Sequence, residues 1–132
     1  MRLSLKSEYA FLALVEMAAC YGKGSIKVGD IAAKCAIPGK YLEQILLQLR
    51  GGFVKSKRGA DGGYTLSKDP SQIRLADVIR LLDGPLGSVN SVSTYFYEQG
   101  PTEKIPKLRS LLLDIRNYTA WKLENCTLKD LV

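Results

Sequence analysis

The chain contains no histidine. That removes both the most frequent general base and the most frequent metal ligand among side chains. Cysteine is scarce: Cys20, Cys35 and Cys126 are odd in number and far apart. They do not read as a disulfide framework, and they point to a reducing cytoplasm. No run of about 18 apolar residues occurs, so no membrane span is expected. The opening stretch MRLSLKSEYAF lacks the apolar segment of a secretory signal. Carboxylates are not clustered. The glycines from Gly59 to Gly63 sit between two strand-like segments and lack the following Lys-Ser/Thr of a phosphate loop. With these absences no constellation for catalysis is left. The expectation is a non-enzyme without a metal or a cofactor.

What is present is an ordinary globular composition, 46% apolar and 24% charged over 132 residues. That is enough for one domain, or one domain with an accessory helix, that gains stability from a partner subunit. The net charge of +6 is unevenly placed. Residues 1–68 hold 11 Lys/Arg against 5 Asp/Glu, whereas residues 69–132 hold 8 of each. The whole excess lies in the first half, which suits a polyanionic partner there. A merely solubilising surface is the alternative, so the pattern it surrounds must decide.

That pattern is a series of short helices feeding a hairpin. Ser4 is a good N-cap for a first helix running to about Tyr21, apolar nearly all the way round and so buried on more than one side. A short helix from about Val28 to Cys35 turns inward Ile31, Ala32 and Cys35. Cys35 is expected to pack between it and the third helix. After the turn Ala36-Ile37-Pro38, the third helix covers about Pro38 to Arg50. Leu42, Ile45, Leu46 and Leu49 form its inner stripe, while Lys40, Glu43, Gln44 and Leu47 project away. Gly51 and Gly52 stop it. Phe53–Lys57 and Gly63–Leu66 alternate as strands around a turn at residues 59–62. A fourth helix reads from Leu75 to Leu82, followed by a long loop over residues 86–101 with the aromatic trio Tyr95, Phe96 and Tyr97. A last helix starts between Thr102 and Pro106 and reaches about Glu124. Thr127 caps a final turn from Leu128 to Val132. Ile105, Leu108, Leu112, Ile115 and Thr119 make one stripe of the last helix, flanked by Leu111 and Tyr118, with Leu113 and Trp121 on the other side. Two apolar faces suit a helix shared between two subunits.

A helix running into a basic, glycine-tipped hairpin is how a winged helix-turn-helix meets DNA. The expected fold is mainly α with a small β-hairpin wing, plus a long C-terminal dimerisation helix. The divisions fall at residues 1–84 for the DNA-binding head, 85–102 for a long loop of the kind that is usually functional or mobile, and 103–132 for the dimerisation helix and closing turn. On the third helix Gln44 can pair with adenine N6/N7, Glu43 can accept from cytosine N4, Lys40 suits guanine or a phosphate, and Leu47 can touch a thymine methyl. Lys55 and Lys57 of the hairpin suit phosphates, as do Arg2 and Lys6 near the start of the first helix. A solvated helix face is the plain alternative for these residues, and packing for Leu47. Tyr64 reads as a packing residue.

The matching pieces are Arg2-Leu3 with Ser7-Glu8-Tyr9-Ala10, Tyr41-Leu42-Glu43-Gln44, Gly52-Phe53-Val54, Arg58-Gly59 with Gly62-Gly63-Tyr64, and Thr127-Leu128 with Leu131. In this order and spacing the chain resembles, along essentially its whole length, the Rrf-two (Rrf2) family of bacterial winged-helix regulators of the IscR, CymR and NsrR type. The resemblance implies a homodimer with crossed C-terminal helices, a DNA-binding head on each subunit and a sensor loop ahead of the long helix. It also implies that Arg58 enters the minor groove, where narrow tracts concentrate negative potential. Iron–sulfur members carry three closely spaced cysteines in that loop. The corresponding segment here, about Gly87 to Lys107, has none. Glu8 stands where some of them place a carboxylate ligand, but one carboxylate cannot hold a cluster.

The expectation is therefore a cytoplasmic, cluster-free transcriptional repressor binding a palindromic operator in double-stranded DNA. Tyr95, Phe96 and Tyr97 are the possible sensor, for an unknown protein or small-molecule effector, or an anchor of the loop to the core. Two alternatives stand beside it: a winged-helix protein-interaction module, and a thiol- or ligand-responsive regulator acting with a metabolic enzyme.

Overall fold

A helix that is apolar on nearly every side threads the centre of the molecule. The computed structural model describes residues 1–87, 92–95 and 97–132, and in it this helix, α1, spans Leu5–Ala19. Ala10 and Ala13 keep its surface low, so neighbouring elements approach closely. Leu14 and Met17 fill the space between them, and all four are sealed from solvent. The helix ends two residues before the expected Tyr21. Cys20 takes the C-cap, and Gly22 follows with φ +84°.

The start of α1 is held from across the fold. Ser4 Oγ accepts from the Ser7 N–H at 3.1 Å, as its N-cap role requires. The fourth helix, α4 (Leu75–Asp83), runs one residue further than expected, and its last residue reaches back to this cap. The Ser4 N–H and hydroxyl donate to the Asp83 carboxylate at 3.0 and 2.5 Å, and the Ser7 hydroxyl donates at 2.8 Å. Burial pushes the Asp83 carboxyl up, but these hydrogen bonds and the nearby Lys6 charge outweigh it and hold the group below the usual carboxylate range. A depressed folded-state value stabilises the fold above the unfolded value, and this contribution is lost as pH falls through the folded one. Asp83→Asn is expected to lower stability at pH 7 by about 1–2 kcal/mol. The gap between variant and wild type closes on acidification below the carboxylate range, which urea melts at several pH values measure.

Helix α2 (Val28–Cys35) and helix α3 (Gly39–Leu49) are joined by a turn in which Ala36 adopts the left-handed region at φ +53°. Ile37 is driven into the core there. Pro38 has an extended ψ of 125°, so it takes the N-cap of α3 instead of its first helical position. Leu42, Ile45, Leu46 and Leu49 are all fully buried, as their spacing predicts. Cys35 differs from expectation: its Sγ faces the Leu12 carbonyl of α1 at 3.8 Å, because the inner side of α2 meets α1.

Strands β1 (Val54–Lys57) and β2 (Gly63–Leu66) pair antiparallel in the register Val54 to Leu66 and Lys57 to Gly63. Phe53 stays outside β1 because its N–H still bonds the Leu49 carbonyl of the preceding helix at 3.0 Å. The free edge of β2 is also used. Tyr64 and Ile26 exchange both backbone hydrogen bonds, at 2.9 and 2.7 Å, so the α1–α2 connection adds a third rung.

A 3₁₀ turn at Pro70–Gln72, capped by Asp69, leads into α4. After the long loop, a 3₁₀ turn at Pro101–Lys104 precedes α5 (Pro106–Glu124), and a last 3₁₀ turn spans Leu128–Leu131 behind a Thr127/Asp130 capping box. The chain end returns to the head. The Leu75 N–H bonds the Cys126 carbonyl, the Leu128 N–H bonds the Ile73 carbonyl, both at 3.0 Å, and Leu128 is fully buried in the main core. A smaller apolar cluster of Ala76, Ile79, Leu86 and Ala120 joins α4 to α5. Beside it Arg80, only 12% exposed at its side chain, donates to Glu124 of α5 at 2.5 Å. Among the described residues no helix is long and apolar enough to cross a membrane.

Candidate nucleic-acid interface

The four buried leucine and isoleucine side chains of α3 fix its rotation, and so fix what it offers to solvent. Lys40, Glu43, Gln44 and Leu47 are all exposed on its outer side. The structure brings Lys6 of α1 to this surface. A shallow depression of about 350 Å³ is lined by Lys6, Tyr41, Gln44, Ile45, Leu47 and Gln48. Tyr41 packs edge-on against Tyr9 of α1, with ring centroids 5.7 Å apart, which pins the first turn of α3 to the central helix. Gln48 was not singled out in the sequence. The signal available was its position four residues after Gln44, one turn along the same face. Arg2 is exposed ahead of the Ser4 cap and does not line this depression.

Lys55, Lys57 and Arg58 are exposed on the hairpin. Its tip is closed by the Gly62 N–H bonding the Gly59 carbonyl at 2.9 Å. Tyr64 is half-buried against the core, as expected. None of Lys40, Glu43, Gln44, Lys55, Lys57 and Arg58 has a side-chain hydrogen bond or ion pair among the described residues. By contrast, Lys34 of α2 is held by Glu16 at 2.6 Å. The outer side of α3 and the hairpin therefore form an uncommitted, mostly basic surface.

Of the expected stripe, Ile105, which caps α5 rather than lying in it, is exposed, as are Leu108 and Ile115 of α5, while Leu112 and Thr119 are half-buried. The exposed apolar band is better described by Leu108, Leu111, Ile115 and Tyr118, with Trp121 also exposed. Ala120 and Leu123 face the protein's own α4 side. Of the aromatic trio, Phe96 lies outside the described residues. Tyr95 is exposed, and its ring lies 4.7 Å from the Arg80 guanidinium. Tyr97 is also exposed and donates from its hydroxyl to Glu103.

Among the described residues no group of three or more His, Cys, Asp or Glu side chains is placed to hold a metal. Glu8 lines a largely apolar groove of about 440 Å³ with Leu3, Phe11, Leu12, Val15 and Glu16, and no thiol borders it. Burial raises the Cys35 thiol above its ordinary value, the Glu16 charge raises it further, and the Lys34 charge opposes both. Burial and Asp130 raise Cys126. Both thiols are thereby kept protonated at neutral pH, the less reactive form.

A buried helix-turn-helix with an outward polar α3, followed by a basic hairpin braced along the β2 edge by Ile26, defines a winged helix-turn-helix DNA-binding regulator. The family model described as Rrf2, iron-dependent transcriptional regulator, matches residues 3–132. The chain is 35% identical over 132 residues to the HTH-type transcriptional regulator CymR of Bacillus subtilis (strain 168), covering 99% of this chain and 89% of that protein. It matches the solved structure of CymR (YrzC), the global cysteine regulator of B. subtilis, with a TM-score of 0.82 over 99% of this chain and 95% of that one. The structure of T. potens IscR is similar at 30% identity and a TM-score of 0.70, over 99% of this chain and 85% of that one. The chain belongs to the Rrf2 family of winged helix-turn-helix transcriptional regulators. It is a non-enzymatic, DNA-binding member that lacks the cysteine arrangement an iron–sulfur cluster needs.

Proposed function

We propose that the protein is a homodimeric repressor that binds an inverted-repeat operator and works without an iron–sulfur cluster. The observation that carries this reading is the uncommitted polar face of α3, which leads directly along the chain into an equally uncommitted basic hairpin. In this reading α3 enters the major groove. Gln44 reads adenine, Glu43 accepts from cytosine, Lys40 meets guanine or a phosphate, and Leu47 touches a thymine methyl. Arg58 enters the adjacent minor groove, while Arg2, Lys6, Lys55 and Lys57 neutralise phosphates. The exposed apolar band of α5 joins two subunits, which sets the spacing of the half-sites.

The test is selection of genomic fragments by the purified protein at near-physiological salt, followed by sequencing. An enriched inverted repeat, with half-site centres about one helical turn or a multiple apart, is expected. No enrichment over input sinks the reading. Transcription from a recovered promoter should then fall when the protein is added. Likeness to the global cysteine regulator of B. subtilis supports a second element of the reading: target genes of sulfur and cysteine metabolism, with an effector or a metabolic enzyme acting at the loop that carries Tyr95 and Tyr97. Recovered fragments lying beside unrelated genes would remove that element alone.

Two substitutions separate the parts of the interface. Arg58→Ala is expected to weaken specific binding by roughly 1–3 kcal/mol without altering the melting temperature. Undiminished operator affinity would take the wing out of the minor groove. Gln44→Ala is expected to relax preference at one base pair per half-site more than it lowers non-specific binding. A uniform loss across all sequences, measured by competition with single-site operator variants, would show that Gln44 is not a reader.

A further inference from the structure

We propose that the cleft between the α1–α2 connection and the wing is a further seat for the DNA backbone, in which Lys23 and Lys27, together with Lys57, hold phosphates on the far side of the wing from α3. The proposal rests on the wing lying in the minor groove, as argued above. The cleft has a volume of about 550 Å³. Its lining includes Lys23, Ser25, Lys27 and Lys57, with Asp30 and Asp61. All three lysines are exposed, and none makes an ion pair among the described residues.

The topology says which strand would meet them. Strand β2 has β1 along one edge and Ile26 along the other. Helix α3 runs directly into β1, so the cleft beside Ile26 lies at the edge turned away from α3. A minor groove is only about 6 Å wide, so a wing tip seated in it has a phosphate strand on either side. One strand falls between the wing and α3. The other falls where the cleft is. The cleft is also rigid: the Ile26–Tyr64 backbone pair fastens the α1–α2 connection to the wing, so Lys27 keeps its position relative to Lys57 without a partner. Ordering only side chains, not a loop, keeps the entropic cost of engaging DNA low.

Asp30 and Asp61 work against a phosphate at the same place, and this gives the proposal opposite signs to test. The measurement is the salt dependence of affinity of the full-length protein for a selected operator and for random duplex. Lys23→Gln with Lys27→Gln is expected to lower affinity for both duplexes equally and to make the log–log salt slope shallower by about 2, one unit per phosphate contact. Asp30→Asn with Asp61→Asn is expected to tighten binding to both duplexes. An unchanged slope in the lysine variant, or no tightening in the aspartate variant, overturns the cleft as a phosphate seat. Arg58→Ala serves as the control for the underlying reading. If it leaves operator affinity intact, the wing is not in the minor groove and the cleft proposal falls with it. If it lowers operator affinity while the lysine variant does nothing, only the cleft is wrong.

Discussion

Ile115→Asp is expected to split the proposed dimer into monomers and to weaken binding to a two-half-site operator by two to four orders of magnitude. In a single chain Leu111, Ile115 and Tyr118 are 56%, 51% and 65% exposed, and with Leu108 they recur at intervals of three and four residues along α5. That spacing makes one continuous apolar seam, the pattern by which two helices associate. A seam of this kind left in water is an aggregation hazard, so it calls for a partner. A charge at Ile115 costs little in the isolated subunit because the position already faces solvent. In the proposed dimer it is buried without a partner, which is prohibitive. The size of the DNA effect follows from linkage. Two heads joined at fixed spacing bind with an effective concentration that adds about 10²–10⁴ to the affinity of one. Sedimentation measures the first effect, and titration of full and half operators the second. A variant that remains a dimer would show that α5 is not the joint. A monomer that binds the half operator as well as wild type would show that the head is intact.

How much of this was legible in the sequence depends on whether the signal was local. The inner stripe of α3 was readable because helical periodicity is a property of adjacent turns, and the four predicted residues are the four that are buried. The hairpin was readable because glycine and alternation are local too. The tertiary contacts were not. The bond from Asp83 to Ser4 spans 79 residues, and no spacing rule connects them. The return of Leu128 to the core and the edge pairing of Ile26 with Tyr64 are equally non-local. The stripe on α5 was only partly readable. The helix is apolar on two sides, so periodicity alone could not say that Ala120 and Leu123 face α4 while Leu111 and Tyr118 stay outside. At the interface, the outward residues of α3 followed directly from its inner stripe. That Lys6 shares a depression with Gln44 followed from the packing of α1 on α3.

The same non-local edge makes Gly63→Ala a damaging small change in the head. A Cβ built on Gly63 would stand 2.3 Å from the Ile26 carbonyl oxygen, 2.6 Å from its carbon and 2.9 Å from the Lys27 nitrogen, all backbone atoms. The residue also has φ +143°, a conformation that side chains disfavour. No side chain can swing aside to relieve the contact, so either the wing separates from the α1–α2 connection or both elements distort. The expected cost is roughly 2–4 kcal/mol from strain and overpacking together. Gly22 provides the control. It too has positive φ, at +84°, but nothing lies within 4 Å of its added Cβ. Gly22→Ala should therefore cost only the backbone preference, about 1 kcal/mol. Chemical denaturation of the two variants isolates the contact from the conformation. If they lose equal stability, the Ile26–Tyr64 pairing does not brace the wing. If Gly63→Ala also displaces the hairpin, operator affinity falls further than in Arg58→Ala, because Lys55 and Lys57 move with Arg58.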